Sequence, residues 1–273
     1  MTGHGSHGSP ETREPGACLV TGATGFVGSH LAKRLAADGV PVRGLVRSRD
    51  RAVAAGLTDA GVDIVVGDIT DTSSVSAALD GIQTVFHAAA VLGPATLDPS
   101  EYHRVNADGV TRVIEAMRRN AEPGARLILV STVGVLGPLP DKTRADESTP
   151  PRPVDIYETT KLEGEERALK AAAEGFPVVI ARPGWVYGPG DTRTLKLFRM
   201  IARRRCIMIG NAQNRQHPIF IDDLVDGLMA CSRVPGIEGR VYHLCGPEIL
   251  TVNDLCDAVA RAAGVKLPPF RLP

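Results

Sequence analysis

Tyr157 and Lys161 stand four residues apart in Tyr157-Glu158-Thr159-Thr160-Lys161. On a helix, positions i and i+4 share a face, so a phenol and an ammonium there point into the same space. Free tyrosine titrates near pKa ~10 and is a poor proton donor at neutral pH. A cation beside it favours phenolate, lowering that pKa and making the side chain a usable general acid/base. The same spacing also suits an amphipathic surface helix, so the pair is read together with the glycine-rich stretch Thr21-Gly22-Ala23-Thr24-Gly25-Phe26-Val27-Gly28. Glycines at 22, 25 and 28 suit a tight turn, close backbone approach and close helix–strand packing. The helix start that follows offers free N–H groups and a positive dipole end to a pyrophosphate.

These residues need elements to hold them. Residues 17–20, 40–46, 64–66, 84–86, 126–130 and 178–180 read as short buried strands. Residues 26–37, 75–79 and 102–120 read as helices between them, and 138–153 as a Pro-rich loop before the Tyr157 helix. Strands alternating with helices imply a parallel sheet covered on both faces. The expected class is α/β, a Rossmann-type doubly wound parallel sheet with a smaller C-terminal substrate lobe. The expected division is a disordered leader at 1–16, a mainly dinucleotide-binding part at 17–190 and a mainly substrate-binding lobe at 191–273. That lobe is expected to interleave with the sheet and to be short at its C-terminal end.

Composition removes other classes. Lys+Arg and Asp+Glu are both 31, giving zero net charge, which argues against nucleic acid or an anionic membrane as the main partner. A local basic pocket stays compatible with that balance. No apolar run approaches the ~20 residues of a membrane span. The first 16 residues lack the apolar core of a secretory signal. Five scattered cysteines form no C-x-x-C, so reduced thiols in a cytoplasmic protein are expected, with neither zinc site nor disulfide framework. His4 and His7 are not read as a metal site, and the adjacent Asp222 and Asp223 are read as helix-capping acids. No metal is expected.

Cofactor choice rests on the end of the second strand, where NAD sites commonly carry an acidic residue for the ribose 2′-OH. Here Val46 is followed by Arg47-Ser48-Arg49. A cation suits a 2′-phosphate, so NADP(H) is favoured with Arg47 as principal contact, and NAD(H) stays open. The alternative is a set of solvated charges.

With these residues in place, the chain resembles the extended short-chain dehydrogenase/reductase family from residue 17 to about 264. The matching segments are Thr21–Gly28, Gly67-Asp68-Ile69, His87-Ala88-Ala89-Ala90, Asn106, Ser131-Thr132, Tyr157–Lys161, Arg182–Pro189 and His217–Gly227. The resemblance implies dinucleotide contacts from Gly22, Thr24, Gly25, Phe26, Val27 and Gly28. It implies adenine contacts from Asp68 and Ile69, a wall along the adenine ribose and pyrophosphate from Ala88, Ala89 and Ala90, and a nicotinamide flank at Pro183 and Gly184. It also implies Thr132 as the hydroxyl on the reacting oxygen, with Ser131 as the alternative. Tyr157 is then the proton donor or acceptor, Lys161 holds the nicotinamide ribose and lowers the Tyr157 pKa, and Asn106 supports the hydrogen-bond network.

Sugar-nucleotide members commonly read R-x-x-N-V-Y-G-P after the sixth strand. This chain reads Arg182-Pro183-Gly184-Trp185-Val186-Tyr187-Gly188-Pro189, with Trp185 in place of the Asn. An indole lacks the amide's paired donor and acceptor. Val133-Gly134 after Thr132 replaces the acidic pair expected of a dehydratase. The resemblance therefore implies a ketone/alcohol oxidoreductase of the 3-beta-hydroxysteroid dehydrogenase-like branch, acting on a small, fairly apolar molecule. Arg215, near where epimerases keep a diphosphate-binding Arg, and the run Arg203 to Arg205 keep a phosphorylated substrate in view. The alternatives are a nucleotide-sugar epimerase with tightly held NAD and a non-catalytic NADP-binding regulatory protein. A homodimer is a further expectation from the resemblance.

Overall fold

The computed structural model describes residues 16–93, 97–140, 143–268 and 271–272. The expected leader, with His4 and His7, lies outside the described residues. Strand β1 (Cys18–Thr21) is followed by α1 (Phe26–Ala37), β2 (Val42–Val46), α2 (Arg49–Ala54) and β3 (Asp63–Val66). Next come α3 (Thr72–Ala77), β4 (Thr84–His87) and α4 (Pro99–Tyr102), which runs through a π-turn at His103–Ala107 into α5 (Asp108–Asn120). β5 (Arg126–Val130), a 3-10 turn at Val133–Leu136, α6 (Ile156–Ala173), β6 (Val178–Pro183) and β7 (Trp185–Tyr187) complete the first stretch. Then follow α7 (Thr192–Ala202), β8 (Met208–Ile209), β9 (Arg215–Gln216), β10 (Pro218–Phe220) and α8 (Ile221–Arg233). β11 (Val241–Leu244), β12 (Leu250–Thr251), α9 (Val252–Ala262) and β13 (Arg271–Leu272) end the chain.

Seven parallel strands form one sheet in the order β11-β6-β5-β4-β1-β2-β3. The order reverses between β1 and β4, which opens a crevice at the strand C-termini where ligands of doubly wound sheets bind. Alternate strand residues feed opposite faces, as the two-residue period of a strand requires. Cys18, Val20, Phe86, Ile128, Val130, Val179 and Ala181 pack under α1 and α8. Leu19, Val85, Leu127, Leu129, Val178 and Ile180 pack under α3, α5 and α6. Such two-sided burial explains why these strands read as unbroken apolar runs rather than as alternation. A third, smaller cluster holds α7 against α9 through Ile201, Cys206, Met208, Cys256 and Ala260.

One element departs from the sequence expectation. The single helix expected over 102–120 is broken at His103–Ala107 by the π-turn. Within it Asn106, 1% exposed, accepts a hydrogen bond from the Val91 N–H at 2.8 Å. It donates to the Val91 carbonyl and to Thr160 Oγ1, both at 3.1 Å. A wider turn lets one buried amide serve three partners, and such bulges concentrate at functional sites.

Candidate active site

The glycine stretch forms the tight β1–α1 turn. Gly22 has φ +68°, and a Cβ there would lie 2.7 Å from the Ala89 backbone. A Cβ on Gly28 would collide with the Gly22 carbonyl oxygen. Gly25 caps α1 without any side-chain hydrogen bond, and the first turn of α1 holds no acidic residue. Free N–H groups and the helix dipole therefore meet the crevice unopposed. Across it, Ala88 and Ala89 are tied to β1 by the Thr21 carbonyl (3.3 Å) and Thr21 Oγ1 (3.4 Å). This cradle fits a dinucleotide pyrophosphate.

Around it, Arg47 is exposed at the end of β2, and Ser48 caps α2 without spending its hydroxyl. Asp68 follows β3 and accepts the Thr70 N–H at 2.9 Å, while Ile69 turns into the core against Gly109. Gly184 faces the His217 carbonyl so closely that no Cβ fits between them. Trp185 donates its backbone N–H to that same carbonyl at 2.9 Å.

The second half of the site lies where β5 meets α6. Asp155 caps α6 by accepting the Glu158 N–H at 2.7 Å, and Glu158 accepts the Val154 N–H at 2.9 Å. These two bonds fix the start of α6, with Tyr157 in its first turn and Lys161 one turn further in. Thr132 Oγ1 accepts the Gly134 N–H at 3.1 Å, capping the 3-10 turn and keeping its own hydroxyl proton for another acceptor. Ser131, the alternative hydroxyl, is 5% exposed and its Oγ has no hydrogen-bond partner among the described residues. Lys161, 3% exposed, donates to the Val130 carbonyl at 2.7 Å.

The electrostatics correct one expectation. Lys161 does not draw the Tyr157 phenol downward: burial pushes it up to about 12, with Asp155 and Glu158 adding to the rise and the Arg193 charge opposing it. A buried ammonium must satisfy itself first, and Lys161 does so on a backbone carbonyl. Burial brings Lys161 itself down to about 8, against the pull of the Glu165 carboxylate. Burial, with the Lys161 charge, lowers His87 to about 3, and its Nδ1 lies 2.8 Å from Thr21 Oγ1.

Sequence reasoning missed several contributors. Arg182 Nε meets both Glu165 carboxylate oxygens at 3.0 and 3.1 Å, and Nη2 meets one at 2.6 Å, locking β6 to α6. Arg193, whose charge reaches Tyr157, starts α7 behind the cap Asp191. The run Asp191-Thr192-Arg193-Thr194 carried a legible helix-start signal. Trp185 stacks on Tyr187 (centroids 6.2 Å apart, planes at 26°), and Tyr187 meets Phe220 edge-on at 5.5 Å. Arg215 is exposed in the short β9–β12 ladder opposite Thr251.

Known proteins resemble this chain over most of its length. The model of the NAD dependent epimerase/dehydratase family matches residues 18–245. The chain belongs to this family. Ceramide reductase of Caulobacter vibrioides (strain NA1000 / CB15N) is 34% identical over 258 residues, covering 94% of this chain and 74% of the relative. A 3 beta-hydroxysteroid dehydrogenase/Delta 5-->4-isomerase of Mycobacterium tuberculosis (strain CDC 1551 / Oshkosh) is 30% identical over 276 residues, covering 96% and 73%. Among solved structures, MoeE5 in complex with UDP-glucose and NAD superposes with a TM-score of 0.79 at 29% identity, covering 94% and 85%. As an epimerase/dehydratase family member whose relatives are reductases and dehydrogenases, the chain is an NAD(P)-dependent enzyme of the extended short-chain dehydrogenase/reductase type.

Proposed function

We propose that the protein interconverts a ketone and a secondary alcohol on a small, fairly apolar molecule, using NADP(H). The half-buried wall of Trp185, Tyr187 and Phe220 carries the substrate class, because it presents stacked aromatic surface where a sugar-nucleotide site needs an amide. Exposed Arg47 supports the 2′-phosphate. When bound, the nicotinamide supplies or accepts the hydride at the substrate carbon.

The chain's own residues do the rest. A phenol raised to about 12 by burial stays protonated at neutral pH, so Tyr157 holds the proton that the reducing direction needs, as a weaker acid than free tyrosine. It gives its proton to the carbonyl oxygen as the carbon is reduced, and solvent restores it. Thr132 donates a hydrogen bond to the same oxygen and fixes its position. Lys161 holds the ribose side of the pocket, and Asn106, through Thr160, keeps α6 in place as a positioning residue. The proposal includes a homodimer in the cytoplasm, checked by light scattering and fractionation.

The test is NADPH oxidation across a panel of apolar ketones, with UDP-sugars as the contrast. Stoichiometric NADPH loss supports the reading. Epimerised UDP-sugar with no net cofactor turnover favours the second reading, for which the UDP-glucose complex of MoeE5 speaks. Tyr157→Phe should lower kcat on the order of 10²–10⁴-fold. An unchanged kcat would remove Tyr157 from the chemistry.

A further inference from the structure

The overall charge balance conceals a lopsided distribution. Between Asp191 and Asp222 there is no acidic residue, yet the segment holds Arg193, Lys196, Arg199, Arg203, Arg204, Arg205 and Arg215. Helix α7 turns Thr194 and Ile201 inward, where Ile201 joins the cluster shared with α9. The opposite face carries Lys196 and Arg199, three apart and therefore adjacent on the helix surface. Leu195 and Met200 flank that pair, 36% and 38% exposed. Past the helix end, Arg203, Arg204 and Arg205 are exposed, and Ile207 is 44% exposed. Among the described residues only Arg193 of this group makes an ion pair, with Asp191.

The backbone at the helix end adds an independent observation. The N–H of Arg205 bonds the Met200 carbonyl and that of Arg204 the Ile201 carbonyl, both at 2.8 Å. This is a Schellman closure, whose left-handed position glycine usually fills. Arg204 fills it here, at φ 57°. A cation thus occupies a place where a smaller residue would relax the chain.

We propose that the outward face of α7 and the following Arg203–Arg204–Arg205 turn form a docking surface for an anionic lipid bilayer. Clustered cations provide attraction to the headgroups, and apolar side chains flanking them insert at the headgroup–acyl boundary. Those same exposed aliphatic side chains favour lipid over nucleic acid, whose phosphates would engage the cations alone and leave Leu195, Met200 and Ile207 in water. The surface is defined without reference to any substrate, and its test needs none.

The test is flotation of the full chain with vesicles of phosphatidylcholine alone and of equal parts phosphatidylcholine and phosphatidylglycerol. Binding is expected only to the anionic vesicles, weakening as salt rises. Arg203→Gln/Arg204→Gln/Arg205→Gln should lower the partition coefficient on the order of a hundredfold. Leu195→Ser/Met200→Ser/Ile207→Ser should lower it while leaving retention on soluble heparin unchanged. Arg204→Gly controls for folding, since it removes a charge while relaxing the backbone, and should bind less yet melt no lower. The proposal is overturned if anionic vesicles are not bound, or if the Arg triple variant binds them as well as the parent. Two further results overturn it: vesicle binding that ignores the apolar substitutions, marking a general polyanion site, or a dimer that the Arg substitutions dissolve, assigning this face to a second copy of the chain.

Discussion

Removing the charge of Glu165 should destabilise the fold and move the active-site lysine at once. Glu165 is fully buried and Arg182 is 4% exposed, and their bidentate contact ties α6 to β6. Glu165→Gln keeps the shape and leaves the guanidinium buried without its counter-ion. Such breakage costs about 3–5 kcal/mol. For a chain of this size that corresponds to a drop in Tm of roughly 10 °C. Glu165→Leu/Arg182→Met removes both charges and should recover most of the loss, because well-packed apolar replacements of a buried pair are often neutral or better. Thermal and urea unfolding followed by circular dichroism measures both variants. The second readout is kinetic. Glu165 holds the Lys161 ammonium up against burial, so its neutral replacement lowers Lys161 below about 8. The alkaline limb of kcat/KM, where Lys161 loses its charge, should therefore move to lower pH. Equal losses in the single and double variants would refute the electrostatic argument. An unmoved limb would show that Lys161 is not the group titrating there.

Three further outcomes follow from the same geometry. His87 is held at about 3 against its ordinary 6.5, so the unfolded chain binds the extra proton in that interval. Its stability contribution is present above 6.5 and lost as pH falls toward 3; His87→Gln should flatten acid unfolding over that window, and an unchanged profile would count against it. Gly22→Ala forces a Cβ into the Ala89 backbone at positive φ, so it should cost about 1–3 kcal/mol and abolish dinucleotide binding by calorimetry. Arg204→Gly should raise stability by about 1 kcal/mol in urea titrations, since it releases a left-handed arginine.

The glycine cradle and the strands of the sheet were legible because each depends on local pattern. Gly22, Gly25 and Gly28 mark a turn by their spacing, and residues 26–37 show their helix by periodicity, with the bounds the structure gives. Tyr157 and Lys161 were legible as a pair on one helix, whereas their protonation was not. Spacing places a cation near a phenol but says nothing of burial, nor of the Val130 carbonyl that engages Lys161. Residues beyond 190 looked irregular, yet they build α7, α8 and α9, each of eleven or thirteen residues. Their strands are short and pair with distant partners, as β11 does with β6, so no local window reveals them. The Glu165–Arg182 lock is invisible for the same reason: it joins two elements whose packing only the folded sheet defines.

The π-turn at His103–Ala107 inserts extra chain between two well-anchored stretches. Before it, Tyr102 is buried at the end of α4 and its hydroxyl donates to the Gly93 carbonyl at 2.9 Å. After it, Val110, Val113, Ile114 and Met117 face the core. Each residue of a regular helix advances about 100° around the axis, so deleting one residue from the turn would rotate one stretch against the other by that angle. With α5 held by the core, α4 would swing and draw Tyr102 away from Gly93. The turn therefore works as a register spacer between the loop after β4 and the core-facing length of α5.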